Sequence, residues 1–152
     1  MTKLRVAPSK KAQSVAKGPK REVLSRTGIV SGWGLEVWAH GADGRFFEKR
    51  AGGLRLIARG EFTESVNGVA DFELMLTGGD ARNLKEAHAV GVFLRAKPML
   101  DGVVYLAWEE LGTLVPIATL NRPLQISMSF QKPRYGSGEI HSLALSTSLD
   151  SA

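Results

Sequence analysis

The chain has 152 residues, of which 43% are hydrophobic and 23% are charged, with 20 Lys and Arg against 15 Asp and Glu. This length and composition fit one globular domain and exclude a wholly disordered, collagen-like or coiled-coil protein. The sequence contains no cysteine, which excludes disulfide bonds, cysteine-ligated zinc and thiol nucleophiles.

The net charge of +5 is concentrated at the amino terminus. Residues 1–26 carry eight cations and one acid, a net charge of +7, whereas residues 27–152 carry 12 cations and 14 acids. Segment 1–26 has few large apolar side chains and cannot bury enough surface to offset the entropy of its ordering. We therefore predict a flexible basic arm at 1–26 and one β domain at 27–152. The cations of the arm are Lys3, Arg5, Lys10, Lys11, Lys17, Lys20, Arg21 and Arg26.

Two features of the apolar pattern bear on localisation. The first 30 residues contain no apolar run of the length that a secretory signal needs. The longest uninterrupted apolar stretch, residues 103–108, is far shorter than the roughly 18 residues of a membrane span. We expect a cytoplasmic or virion-associated protein that is not secreted and does not span a membrane.

The domain begins with a segment whose apolar residues alternate with period two, as in a half-buried strand. The predicted core face consists of Ile29, Ser31, Trp33, Leu35, Val37 and Ala39. Trp38 falls on the opposite face, where an exposed indole would serve as a stacking platform or a subunit contact. The alternative is that a second sheet or the arm covers it.

Further strands follow along the chain. The clearest alternations place Phe72, Leu74 and Leu76 on one buried face, and then Leu124, Ile126, Met128 and Phe130 on another. Shorter runs predict strands at 45–49, 54–59, 90–97, 103–108, 114–119 and 141–149. The pairs Asn67-Gly68 and Asp101-Gly102 predict hairpin turns. One segment breaks the pattern, because Asp80 is a suitable N-cap for a short helix over 81–89.

Eight or nine short strands and one short helix predict a mainly β domain, either an antiparallel β-sandwich or an elaborated OB-like barrel. From residue 29 to 108, the order of strands and helix is similar to that of an OB-fold barrel. The strands predicted after Trp108 extend beyond a five-stranded barrel of that kind.

No motif in the sequence indicates catalysis. His40, His88 and His141 lie far apart, and none has a second histidine or a carboxylate at metal-ligand spacing. The adjacent acids Glu109 and Glu110 fit a solvated turn, and the sequence contains neither a GxSxG elbow nor a phosphate-binding GxxxxGK[ST] loop. We expect no enzymatic activity, no cofactor and no metal.

Two features predict interaction chemistry. A segment of charge +7 attracts polyanions by displacing their condensed counterions, without reading base sequence. The loop at 131–136 adds Lys132, Arg134 and Tyr135, a combination of cations and an aromatic ring that single-strand binders use. Their ordinary alternatives are a solubilising tail and a long loop kept soluble by charge.

The leading hypothesis is a non-enzymatic protein that binds the phosphate backbone of DNA or RNA through the arm, with low sequence specificity. The alternative is a structural subunit of a larger assembly, such as a virion, a phage particle or another homo-oligomer. In that case the arm ties neighbouring subunits together or contacts packaged genome.

Overall fold

The computed structural model describes residues 21–42, 51–79 and 88–147, and this part of the chain is mainly β. The described elements are strands β1 (Val23–His40), β2 (Ala51–Val66), β3 (Val69–Gly79), β4 (Gly91–Arg95) and β5 (Leu100–Ala107), helix α1 (Trp108–Thr119), and strands β6 (Leu124–Gln131) and β7 (Gly138–Ser146). Strand β1 begins four residues before the predicted start of the domain at Thr27.

The described strands form a closed barrel in the order β1-β2-β3-β5-β4-β7-β6, with β6 pairing again with β1. All neighbouring pairs are antiparallel except β3 and β5, which run parallel. Because β1 and β6, the first and last strands in this order, pair with each other, the described strands leave no open sheet edge. The seven described strands therefore form one closed sheet.

The strand directions give the barrel two different ends. Strands β1, β3, β5 and β7 start at the same end, where β2, β4 and β6 finish. We call it the amino-terminal end, because the described chain begins there at Arg21. The connections at 67–68, 96–99 and 132–137 lie at this end, whereas α1 lies at the opposite end.

The interior is filled by the alternating apolar residues of the strands, and two predicted core faces are confirmed. Phe72, Leu74 and Leu76 of β3 are buried, as are Leu124, Ile126, Met128 and Phe130 of β6. Four phenylalanine rings form a continuous chain inside the barrel. Ring centroids are 5.0 Å apart for Phe93 and Phe130, 6.1 Å for Phe130 and Phe62, and 4.6 Å for Phe62 and Phe72.

The predicted core face of β1 is wrong for most of its length: of its six residues only Trp33 is partly buried, and the other five are exposed. Ile29 is 46% exposed, whereas its neighbour Val30 is fully buried. The pairing with β2 shifts register between Val30 and Gly32, which marks a β-bulge. A bulge adds one residue to the strand, so the side chains beyond it point to the other face. Trp33 consequently shares the inner face with buried Ala58, as predicted.

The strand predicted at 114–119 is wrong, because these residues belong to α1. Leu111 and Ala118 are buried at a helical spacing, and partly buried Leu114 packs against the core between them. At the first turn, the Glu110 carboxylate accepts a hydrogen bond of 3.0 Å from the backbone N–H of Ala107. The predicted turn acids therefore begin a helix, where negative charge is favourable. Among the described residues, no helix is long and apolar enough to cross a membrane.

One of the two predicted hairpin turns is confirmed. Asn67 and Gly68 connect β2 to β3 with φ values of 52° and 81°. Asp101-Gly102 instead lies inside β5, and the connection from β4 is made by 96–99. The predicted strand at 45–49 and the main part of the predicted helix at 81–89 lie outside the described residues.

Candidate nucleic-acid interface

The amino-terminal end of the barrel carries exposed cations, and the acids Asp71, Asp101 and Glu139 lie near the start of the strands at the same end. Four described segments meet there, 21–22, 67–68, 95–99 and 132–137. Within these segments the structure describes five exposed cations and one acid, Glu22. The cations are Arg21, Arg95, Lys97, Lys132 and Arg134. The topology thus collects positive charge from distant parts of the sequence.

The last residues of the predicted arm are joined to the β6–β7 hairpin. Arg21 Nη1 donates a hydrogen bond of 3.0 Å to the backbone oxygen of Ser137. The backbone N–H of Lys132 donates a bond of 2.7 Å to the Glu22 oxygen, and Lys132 Nζ lies 3.6 Å from Glu22 Oε2. These contacts bring Arg21 and Glu22, which belong to the predicted arm, against the predicted basic loop.

The loop itself is a tight turn. Arg134 and Ser137 exchange backbone hydrogen bonds of 2.8 and 3.1 Å, which leaves Tyr135 and Gly136 as the two central residues. Gly136 lies close to β4, since a Cβ built on it would be 3.7 Å from Arg95 Cα. The Tyr135 ring is 97% exposed, with the Arg134 guanidinium carbon 5.9 Å from its centroid.

Arg26, the other described cation of the predicted arm, lies in a different environment. It pairs with buried Met128 on the inner face of the barrel, and its side chain is 13% exposed. Its guanidinium donates hydrogen bonds to the backbone oxygens of Ser25 and Ser65, at 2.9 and 3.3 Å, and lies 3.8 Å from Glu64 Oε1. Because this side chain is largely buried, unlike that of Lys132, we place Arg26 outside the candidate interface.

The structure therefore brings some of the predicted site residues together and places Arg26 apart from them. Arg21, Lys132, Arg134 and Tyr135 come together at the amino-terminal end. The remaining predicted cations lie outside the described residues; they are Lys3, Arg5, Lys10, Lys11, Lys17 and Lys20. Sequence reasoning missed Arg95 and Lys97 as members of the site. The one available signal was two cations at the end of a predicted strand, beside Pro98.

Trp38 lies on the outer face of β1, as its place in the alternation predicted. Its ring covers Gly53 of the neighbouring strand, where a Cβ would collide with the indole. The Arg55 guanidinium carbon lies 4.5 Å from the ring centroid, and Arg55 Nε is 3.4 Å from Glu36 Oε2. Side chains of the same chain already occupy much of the ring, which makes it a poor platform for a base.

A cavity of about 430 Å³ opens beside β2 and β3, and its charge does not suit phosphate. Its lining includes the carboxylates of Glu61 and Asp71, which are neighbours across the two strands. The one cation in its lining, Arg59, is paired with Glu73 at 2.6 Å. Within the described part of the chain, no three His, Cys, Asp or Glu residues are grouped as metal ligands.

The chemistry available at the amino-terminal end follows from its groups. Guanidinium forks match the oxygen geometry of phosphate, ammonium groups act as point charges, and a tyrosine ring can stack on a base. Comparisons of the chain with protein-family models, with curated proteins and with solved structures returned no match.

Proposed function

We propose that this chain is a non-enzymatic protein that binds nucleic acid through its phosphates, using residues 1–21 together with the amino-terminal end of the barrel. The observation that carries the proposal is the contact of Arg21 and Glu22 with the hairpin of Lys132 and Arg134. Arg21, the last cation before β1, thereby lies beside the hairpin that carries the cations Lys132 and Arg134. One strand of phosphates can contact both.

The balance of charge supports the same proposal. Residues 1–20 contain six cations and no acid, whereas residues 21–152 contain 14 cations and 15 acids. Attraction to a polyanion must therefore come from the first 20 residues and from local groups of cations, because the rest of the chain is close to neutral. Phosphate contacts carry no base sequence, so the proposed binding has low sequence specificity.

We also propose that the barrel is an elaborated OB-like barrel. Strands β1 to β5 have the order β1-β2-β3-β5-β4, which contains the crossover of a Greek-key barrel. The β6–β7 hairpin lies between β4 and β1 and completes the closure. The residues that we assign to phosphate binding include the turn of this added hairpin.

Removing the charge of Arg134 tests the proposal without removing the arm. With Arg134→Gln, we expect weaker binding of a labelled oligonucleotide and a salt dependence whose slope is smaller by about 0.7 to 0.9, because one phosphate contact is lost. Fluorescence anisotropy across a salt series measures both quantities.

Arg122→Gln is the matched control, because it removes one exposed cation from the opposite end of the barrel. We expect its affinity and salt slope to equal those of the unsubstituted chain. Equal losses for the two variants would contradict a binding site localised at the amino-terminal end.

A second candidate function, a structural subunit of a larger assembly, is favoured by a different observation. Beyond the bulge, Leu35 and Val37 lie on the same face as the core residues but are 53% and 70% exposed. Apolar side chains exposed side by side are typical of subunit contacts. If a second copy of the chain covers them, Val37→Ser will shift the protein towards monomer in mass photometry. A monomeric unsubstituted chain at every concentration would contradict this second function.

A further inference from the structure

The turn that carries Tyr135 has an unfavourable residue at its first central position. Tyr135 and Gly136 have φ values of 53° and 81°, the pattern of a type I′ turn. The turn at Asn67 and Gly68 has nearly the same values, 52° and 81°. Asparagine tolerates this left-handed conformation, whereas a tyrosine is strained in it. One chain thus contains the same type of turn with a suitable residue and with an unsuitable one.

The strain at Tyr135 is not offset by packing within the molecule. Its ring is 97% exposed, so burial contributes almost nothing to folding. Its described partner is the neighbouring Arg134 guanidinium, 5.9 Å from the ring centroid, which is a weak contact at an exposed site. A strained residue that does not contribute to the fold is a sign of function, here of a ligand that covers the ring.

The surroundings of the ring define that ligand. The ring belongs to a turn held by reciprocal backbone bonds, next to Arg134, and Arg21 is hydrogen-bonded to Ser137 of the same turn. A nucleotide presents a flat base and a phosphate separated by a sugar, and these two parts match the ring and the cations. Bases in a duplex are already stacked on each other, whereas those of a single strand are free to stack on a ring.

We propose that Tyr135 is a base-stacking residue and that it makes the protein prefer single-stranded over double-stranded nucleic acid. This inference rests on the function proposed above and names the class of nucleic acid. Cations of the arm and barrel hold the phosphates of either form. The ring adds affinity for the single strand alone, and Arg134 both binds phosphate and supports the ring.

The variant Tyr135→Asn tests the inference on the full chain, with a labelled thymidine oligonucleotide and with the corresponding duplex. We expect the affinity for the single strand to fall by about 5- to 150-fold, the range that follows from losing one stacked base. The salt slope should stay unchanged because no charge is removed. Duplex affinity should also stay the same. Thermal unfolding should give an equal or higher Tm, because Asn-Gly suits this turn.

Tyr135→Phe is the matched control, since it keeps the ring and should keep single-strand affinity. Unchanged single-strand binding by Tyr135→Asn, or an equal loss for both forms of nucleic acid, would overturn the stacking role while leaving the proposed function intact. The stacking role would also be overturned if an acidic protein covered the Tyr135 ring at saturation and an oligonucleotide did not. If the unsubstituted chain binds neither form at low salt, the proposed function and this inference both fail.

Discussion

Replacing Phe130 with alanine is expected to lower the free energy of unfolding by about 3–5 kcal/mol. Phe130 is fully buried and joins two halves of the ring chain, with Phe93 on one side and Phe62 on the other. The substitution removes a large apolar side chain and leaves a cavity, because strands fixed in a closed sheet cannot move together to fill it. Urea denaturation followed by tryptophan fluorescence measures the loss.

Two further variants make this prediction specific. Val37→Ala also shortens an apolar side chain of a strand, but Val37 is 70% exposed, so we expect a loss below about 1 kcal/mol. Phe130→Leu keeps most of the buried volume and should stay folded if the alanine variant does not, with a loss of about 1–2 kcal/mol. A loss below about 1 kcal/mol for Phe130→Ala would contradict the position of the ring at the centre of the core.

The sequence predicted best those strands whose pairing is regular. In β3 and β6 the apolar residues alternate without interruption, and burial follows the same alternation. In β1 a bulge near Ser31 reverses the alternation, so Val30 and not Ile29 faces the core. A bulge depends on the partner strand as well as on the bulged one, and an alternation read from one strand does not contain that information.

The helix at 108–119 shows a second limit of local patterns. Val115, Ile117 and Thr119 are β-branched, and their alternation over a short run is typical of a strand. Over the longer run, Leu111, Leu114 and Ala118 follow the helical period and pack against the core. Tertiary packing overrides the local preference here. Predicting this helix from the sequence requires a window that covers the whole segment.

The candidate site could be predicted only in part, because chain topology assembles it. The basic and aromatic composition of the loop was visible at Lys132, Arg134 and Tyr135. That Arg21 lies beside this loop depends on the pairing of β1 with β6, which are separated by about a hundred residues. The same pairing turns Arg26 into the barrel, although its position in the sequence resembles that of the other arm cations.

Removing residues 1–20 is expected to have the largest effect on binding. The truncated chain, which begins at Arg21, loses six cations and keeps 14 cations against 15 acids. If each lost cation contacts one phosphate, the slope of log K against log salt becomes smaller by about 4 for a single strand. The affinity advantage of the full chain should then shrink by about 300-fold between roughly 50 and 200 mM salt. The barrel itself should unfold at the same urea concentration in both proteins, since its described strands are retained.

The most direct test of polyanion binding is an anisotropy titration of one labelled single-stranded oligonucleotide with the full chain and with the chain beginning at Arg21, repeated at several salt concentrations. We predict tight, steeply salt-dependent binding by the full chain and weak, shallow binding by the shorter one, which retains only the cations and Tyr135 of the barrel end. Equal affinities and equal slopes for the two proteins would contradict the account.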